Sequence, residues 1–144
     1  MPLHLLKLCV GAATVEEQAQ WIEQRQAQRR SDGKPAESIH TTRMIPKRAE
    51  ELLDGGSLYW VIKGNVQARQ RLLDIRPFVD GDGIARCDLV MEPKLVLTAW
   101  QPRRAFQGWR YLKSADAPLD LGGGEGVAAL PPQLRSELAQ LGLL

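Results

Sequence analysis

The fold is decided by one stretch of the sequence, TTRMIPKRAEELLDGGSLYWVIKG at residues 41–64. Pro46 favours the first turn of a helix, because a proline has no backbone N–H to satisfy there. Gly55 suits a left-handed helix cap, and Gly56 lets the chain turn in a new direction. Residues 57–63 then alternate so that both faces of a strand carry large apolar side chains. Since such a strand is typical of the middle of a sheet, we predict a short helix followed by a central strand.

Hydrophobic periodicity elsewhere in the chain predicts strands and helices that can pack against this central strand. It predicts strands at residues 3–10, 38–45, 57–63, 66–78, 84–91 and 94–100, and helices at residues 14–30, 46–53 and 131–142. A change of apolar phase after Leu72 predicts a β-bulge, and DGDG at residues 80–83 predicts a hairpin turn. We therefore expect an α+β fold. Its sheet would be mixed or mainly antiparallel, or a small pseudo-barrel, with about five to six strands flanked by two to three helices.

Length and composition bound the class of protein. The chain has 144 residues, which is the length of one typical domain. We expect a single globular domain over residues 1–144, with a flexible loop at about 114–130 before the last helix. No apolar run approaches the ~20 residues that span a bilayer, and the first residues lack the basic leader of a signal peptide. These features predict a cytoplasmic protein with no membrane partner.

Candidate metal ligands are few and scattered. Cys9, Cys87, His4 and His40 lack the paired spacing of a zinc site, so we predict neither a metal nor a cofactor. Each cysteine is expected to be a small buried apolar residue rather than half of a disulfide. No acid or nucleophile is placed to pair with His40, so the sequence assigns no catalytic group.

Positive charge is concentrated in the middle of the chain. The net charge is +2, but residues 41–113 contain 13 Lys and Arg against 8 Asp and Glu. At residues 101–113, QPRRAFQGWRYLK interleaves basic and aromatic side chains. This mixture is typical of proteins that bind single-stranded nucleic acid, because bases stack on rings while phosphates pair with cations. The alternative is a loop that its aromatics pin to the core, with solvated arginines.

Nine residues are candidates for an anion- or nucleic-acid-binding site. Arg69 and Arg71 share one face of a predicted strand, and Asp88, which lies on the next strand with Arg86, could neutralise part of that row. The full candidate set is Arg43, Lys47, Lys63, Arg69, Arg71, Arg103, Arg104, Trp109 and Arg110.

Four segments carry a resemblance to a known family. They are LHLLKLCVG, TRMIPKRAEELLDGGSLYWVIKG, QARQRLLDI and FQGWRYL, at residues 3–11, 42–64, 67–75 and 106–112. In these segments the chain resembles an alphaproteobacterial family of unknown function, which implies no particular activity. The order of helix, glycine, strand and basic strand at residues 46–75 is also similar to the PUA and ASCH-like pseudo-barrels. That weaker similarity implies RNA or nucleotide binding.

Three functions stay open from the sequence. The first is a non-enzymatic module that binds RNA or another polyanion through its basic residues. The second is a small enzyme acting on a nucleotide-like or phosphorylated molecule, for which Asp74 or His40 would supply acid–base chemistry. The third is a protein-interaction domain that uses the exposed ends of its helices. The first is the function that we predict.

Overall fold

A computed structural model describes residues 2–121. These residues form seven strands and two helices. The strands are β1 (Leu3–Leu8), β2 (Ser38–Thr42), β3 (Ser57–Ile62), β4 (Asn65–Val79), β5 (Ala85–Met91), β6 (Val96–Pro102) and β7 (Trp109–Lys113). The helices are α1 (Val15–Ser31) and α2 (Ala49–Leu53), and a 3-10 turn follows β7 at Ser114–Asp116. The predicted helix at residues 131–142 lies outside the described residues.

The seven strands form one mixed sheet in the order β2-β5-β4-β3-β1-β7, with β6 also paired to β4. β1 and β3 are parallel, and every other pair is antiparallel. The predicted α+β class and mixed sheet are confirmed. The predicted strand number was too low by one, since β7 was not foreseen. The pseudo-barrel alternative is wrong for the described residues, because their sheet does not close.

β4 is long enough to pair with strands in two parts of the sheet. The first half of β4 pairs with both β3 and β6, and its second half pairs with β5. A register shift between Leu72 and Asp74 separates the halves, which confirms the predicted bulge. The turn at residues 80–83 then returns the chain, with Asp80 N–H donating to Ile84 O at 3.0 Å. One core cluster contains side chains from both parts, because Leu5 and Leu58 pack with Leu89 and Met91.

Both faces of β3 are buried, as the sequence predicted. We call the face that carries Leu5 and Trp60 the first face; its cluster includes Leu58, Leu89 and Met91. The opposite, second face carries a smaller cluster of buried residues, which is Leu6, Tyr59, Val61, Val66 and Leu112. Trp60 is 6% exposed, which confirms its predicted burial in a central strand.

Helix α1 covers part of the first face. Thr14 caps it by accepting from the Glu17 N–H at 3.2 Å, and Glu17 accepts from the Ala13 N–H at 2.9 Å. This pattern is close to the capping box that the sequence indicated, except that Glu17 accepts from the residue before the N-cap. Val15 packs against Ile62 beneath the helix, so α1 is fixed over β3 at its first turn.

Two glycine-containing turns fix the direction of β3. Gly55 has φ +88°, which confirms the left-handed cap after α2. At the other end, Lys63 and Gly64 have φ values of 49° and 80°. Positive φ at both central residues of a two-residue loop makes a type I′ hairpin turn between β3 and β4. Lys63 is thus a turn residue.

The segment after β7 returns to β6. Ala99 N–H donates to Leu119 O at 2.7 Å, and Leu121 N–H donates to Leu97 O at 3.0 Å. The first part of the predicted loop at 114–130 therefore follows a defined path across the second face. Within residues 2–121, no helix combines the length and the apolarity that crossing a membrane requires.

Candidate anion-binding site

An open pocket on the second face brings together three of the nine candidate residues, Arg103, Arg104 and Arg110. Together they line a space of about 590 Å³, which Lys113 also borders at the end of β7. We call this space the basic pocket. Leu6, Leu112 and Phe106 form its apolar lining.

Strand β7 positions one wall of the basic pocket. It pairs with β1 so that Arg110 lies opposite Leu6 and Leu112 lies opposite His4. Because side chains alternate along a strand, Arg110 and Leu112 both lie on the second face. The Arg110 guanidinium carbon lies 5.2 Å from the centre of the Phe106 ring, within cation–π range. Its Nη1 donates to Gln107 O at 2.9 Å, which fixes the group at the pocket edge.

Arg103 is held on the other side of the basic pocket. Its Nη2 donates to Gln101 Oε1 at 2.6 Å, and its backbone N–H donates to Gly64 O at 2.8 Å. The second contact ties the arginine loop to the β3–β4 turn, where Lys63 lies. Arg104, one residue further, is exposed. Neither arginine is neutralised by a bonded carboxylate among the described residues.

The charge of the basic pocket is strongly unbalanced. Asp116 is the one carboxylate among its described lining residues, and it forms none of the ion pairs found in residues 2–121. Arg110 and Lys113 likewise have no carboxylate partner there. Three arginines beside one acid leave positive potential in a concave space, which attracts anions.

The aromatic residues of β7 have a different role from the arginines. Trp109 is 7% exposed and belongs to the core of the first face. Its Nε1–H donates to Met44 O at 2.9 Å. Tyr111 accepts from the Lys47 N–H at 3.0 Å and from the Arg48 N–H at 3.2 Å. These rings pin the chain before α2 to β7. Trp109 is therefore an anchor with no ring face open to a base, whereas Phe106 lines the basic pocket.

Arg69 lies in a separate shallow pocket of the second face with His4, Tyr59 and Asp120. It is paired with Asp120, and this guanidinium holds the pKa of the Asp120 carboxyl below its usual range. Burial, and next the charge of Arg69, lowers the pKa of His4. Burial raises the pKa of Tyr59. The cation of Arg69 is already balanced, in contrast to those of the basic pocket.

A hydrogen-bond chain explains the buried His4. Its Nδ1 accepts from the Ser57 N–H at 3.0 Å, so the neutral ring carries its proton on Nε2. Nε2 lies 3.4 Å from Ser114 Oγ, and Ser114 in turn donates to Pro2 O. His4 thus links β1, β3 and the segment after β7, which is a structural role.

The remaining candidates do not line the basic pocket. Arg43, Lys47, Lys63 and Arg71 are exposed at separate points, and none forms an ion pair within residues 2–121. The neutralisation expected from β5 does not occur, since Arg86 pairs with Asp80 and Asp88 accepts from Thr41.

The sequence missed Lys113 as a site residue, although it lies in the same basic and aromatic segment. It also missed Lys7, which shares a cavity with Arg25 and His40 on the first face. The alternation of Lys7 with Leu3 and Leu5 was the available signal.

No cluster of three or more metal-binding side chains exists among residues 2–121.

A family model described as a protein of unknown function, DUF1489, matches residues 5–144. The chain belongs to this family. Membership confirms the predicted relation to a family of unknown function, and it covers more of the chain than the four segments quoted above. No curated protein and no solved structure matches this DUF1489 chain. The alphaproteobacterial origin and the similarity to PUA and ASCH-like proteins stay predictions.

Proposed function

We propose that this DUF1489 protein binds a single-stranded polyanion, with RNA as the polymer, through the basic pocket. One observation carries the proposal: Arg103, Arg104 and Arg110 line one pocket together with Phe106 and have no ion-paired carboxylate among the described residues. Cations that follow a backbone, beside an aromatic ring on which a base stacks, are the two elements of single-strand recognition.

The lack of carboxylate partners among the described residues supports polyanion binding over a purely structural role for the arginines of the basic pocket. Arginines with structural roles in this chain have carboxylate partners, as Arg29 and Arg76 have with Glu37. Folding gains nothing from crowding three unpaired cations around one pocket, because like charges repel. A phosphate backbone would supply the missing negative charge.

The test is binding of a short labelled single-stranded RNA, measured by fluorescence anisotropy over a series of salt concentrations. Binding should weaken as salt rises, because phosphate contacts release counterions. The double variant Arg104→Ala/Arg110→Ala should bind more weakly, with a log–log salt slope shallower by about 1.4, at about 0.7 per lost phosphate contact. Lys34→Ala/Lys94→Ala is the matched control, since it removes two exposed lysines that form no ion pair within residues 2–121.

A third variant separates nucleic acid from other polyanions. Phe106→Leu keeps an apolar side chain against Leu112 but removes the ring. It should cost about 1–3 kcal/mol of RNA affinity, the usual contribution of one stacked base, and leave the salt slope unchanged. Heparin binding should be unaffected by this variant. The proposal is overturned if the wild-type protein does not bind RNA at low salt, or if the control pair weakens binding as much as Arg104→Ala/Arg110→Ala.

A further inference from the structure

A second cavity lies on the first face, between α1 and the end of β1. Its volume is about 150 Å³, and it shares no lining residue with the basic pocket. A protein cavity of about this volume accommodates one benzene ring. Its walls are largely apolar and include Trp21, Ile22, Trp60 and Met91. We call this space the tryptophan cavity.

Two cations line the tryptophan cavity without a counter-ion. They are Lys7 of β1 and Arg25 of α1, and no carboxylate is among the described residues that line it. Lys7 lies on the same face of β1 as Leu3 and Leu5, at a position where a core strand normally carries an apolar residue. Its ammonium group forms no hydrogen bond and no ion pair within residues 2–121. A partly buried lysine without a partner costs folding energy, and a bound anion would offset that cost.

His40 also lines the tryptophan cavity, and burial together with the positive charge there lowers its pKa. His40 packs edge-on against Trp60, with ring centres 5.6 Å apart. Burial, and then the charges of Lys7 and Arg25, lowers the pKa of His40 to about 4. Burial also lowers the pKa of Lys7 itself. The imidazole is therefore neutral at pH 7, and the net charge on the cavity lining stays positive.

A buried polar atom in the same wall lacks a partner. Gln18 is 5% exposed, and its Oε1 has no hydrogen-bond partner among the described residues. The neighbouring Gln70 is satisfied, because its Oε1 accepts from Trp60 Nε1 at 2.9 Å and its Nε2 donates to Glu92 O at 2.9 Å. An unsatisfied buried acceptor costs about 1–3 kcal/mol. A donor on a bound molecule would remove that cost.

We propose that the tryptophan cavity binds a small aromatic carboxylate that also carries a hydroxyl group. The carboxylate pairs with Lys7 and Arg25, the ring occupies the apolar space beside Trp21 and Trp60, and the hydroxyl donates to Gln18. This site is independent of polyanion binding, since it lies on the opposite face of the sheet.

The experiment uses the full chain and 4-hydroxybenzoate as the probe, with intrinsic tryptophan fluorescence and calorimetry as readouts. We expect saturable binding that perturbs the tryptophan emission and shifts the His40 ring resonances in NMR spectra. The neutral analogue 4-hydroxybenzyl alcohol should bind at least about tenfold more weakly, the usual effect of losing a charge-assisted hydrogen bond. Benzoate, which lacks the hydroxyl donor, should bind more weakly than 4-hydroxybenzoate.

Two variants decide the role of the ammonium. Lys7→Met keeps the length and the apolar stem of the side chain, so the fold should persist, and affinity should fall about tenfold or more. Lys94→Met removes an exposed lysine between β5 and β6 and should leave affinity unchanged. The proposal is overturned if none of the benzoates binds, if Lys7→Met binds as well as the wild type, or if inorganic phosphate alone binds as tightly as 4-hydroxybenzoate.

Discussion

Arg69 and Asp120 form a two-pronged ion pair, with Arg69 Nε 2.8 Å from Oδ1 and Nη2 2.7 Å from Oδ2. The Nη1 of the same arginine donates to Ser57 Oγ at 2.9 Å. The pair joins β4 to the segment that runs beside β6, and so it holds these two segments together on the second face. Arg71, two positions further along β4, has no carboxylate partner among the described residues.

We expect Asp120→Ala to lower the free energy of unfolding by about 1 kcal/mol, because the pair is bidentate but partly exposed. The side chains of Arg69 and Asp120 are 23% and 43% exposed, so water screens their attraction. Urea melts of the wild type, Asp120→Ala and the control Asp116→Ala would measure this difference. The RNA salt slope of Asp120→Ala should equal that of the wild type. A cost no larger than that of Asp116→Ala would show that the pair does not stabilise the fold.

Gly56 does not have a positive φ, but the space around it is too small for a side chain. A Cβ at Gly56 would lie well under 3.0 Å from the carbonyl oxygens of Leu3 and Leu52, and neither backbone atom can move away freely. We expect Gly56→Ala to cost about 3 kcal/mol or more, because it overpacks the contact between α2 and β1. Gly81→Ala is the matched control, since a Cβ there meets no atom within 4 Å. Similar thermal unfolding of the two variants would contradict this packing.

The indole of Trp60 makes both an apolar and a polar contribution. Trp60→Ala should cost about 3–5 kcal/mol, as emptying an aromatic core site usually does. Trp60→Phe should still cost about 1–3 kcal/mol, because Gln70 Oε1 loses its donor. In a double-mutant cycle with Gln70→Met, the combined loss should be smaller than the sum of the single losses. A loss below about 1 kcal/mol for Trp60→Ala in denaturant melts would contradict the burial of this ring.

Stability should fall between pH 6.5 and about pH 4 because of His40. Its pKa is lowered from 6.5 to about 4 in the folded protein. Within that window the unfolded chain binds a proton that the folded chain does not, so acid favours unfolding. The expected loss is roughly 3 kcal/mol, at 1.36 kcal/mol per pKa unit. His40→Phe keeps a ring against Trp60 and should flatten this part of the profile. Denaturant melts at several pH values would compare the two proteins, and parallel profiles would contradict the prediction.

Much of the fold was predictable because its signals are local. The two-sided apolar pattern around Trp60 predicted a buried strand, and the phase change after Leu72 predicted the bulge. Strand β7 was not predicted. Its sequence, WRYLK, reads as a mixture of rings and charges, and its partner β1 lies far away in the sequence. Periodicity detects what one segment buries, but it does not detect a pairing that distant residues complete.

The candidate site was predictable in composition but not in arrangement. The arginines of residues 101–113 were recognised, and the structure places three of them in one pocket. The sequence could not show that Trp109 turns inward, because that depends on its register with Lys7. It also could not show that Arg69 meets Asp120, since this pair spans two segments without a common periodicity.

The position of β1 governs when this protein can fold. Leu5 lies opposite Leu58 on one side and Tyr111 on the other, which are more than fifty and more than a hundred positions further along the chain. During synthesis, a strand that is apolar on both faces therefore leaves the ribosome long before either neighbour exists. Such distant contacts slow folding, and the waiting strand is exposed to wrong partners in the meantime. The pairing of β1 is completed only once β7, an edge strand of the sheet, has been made.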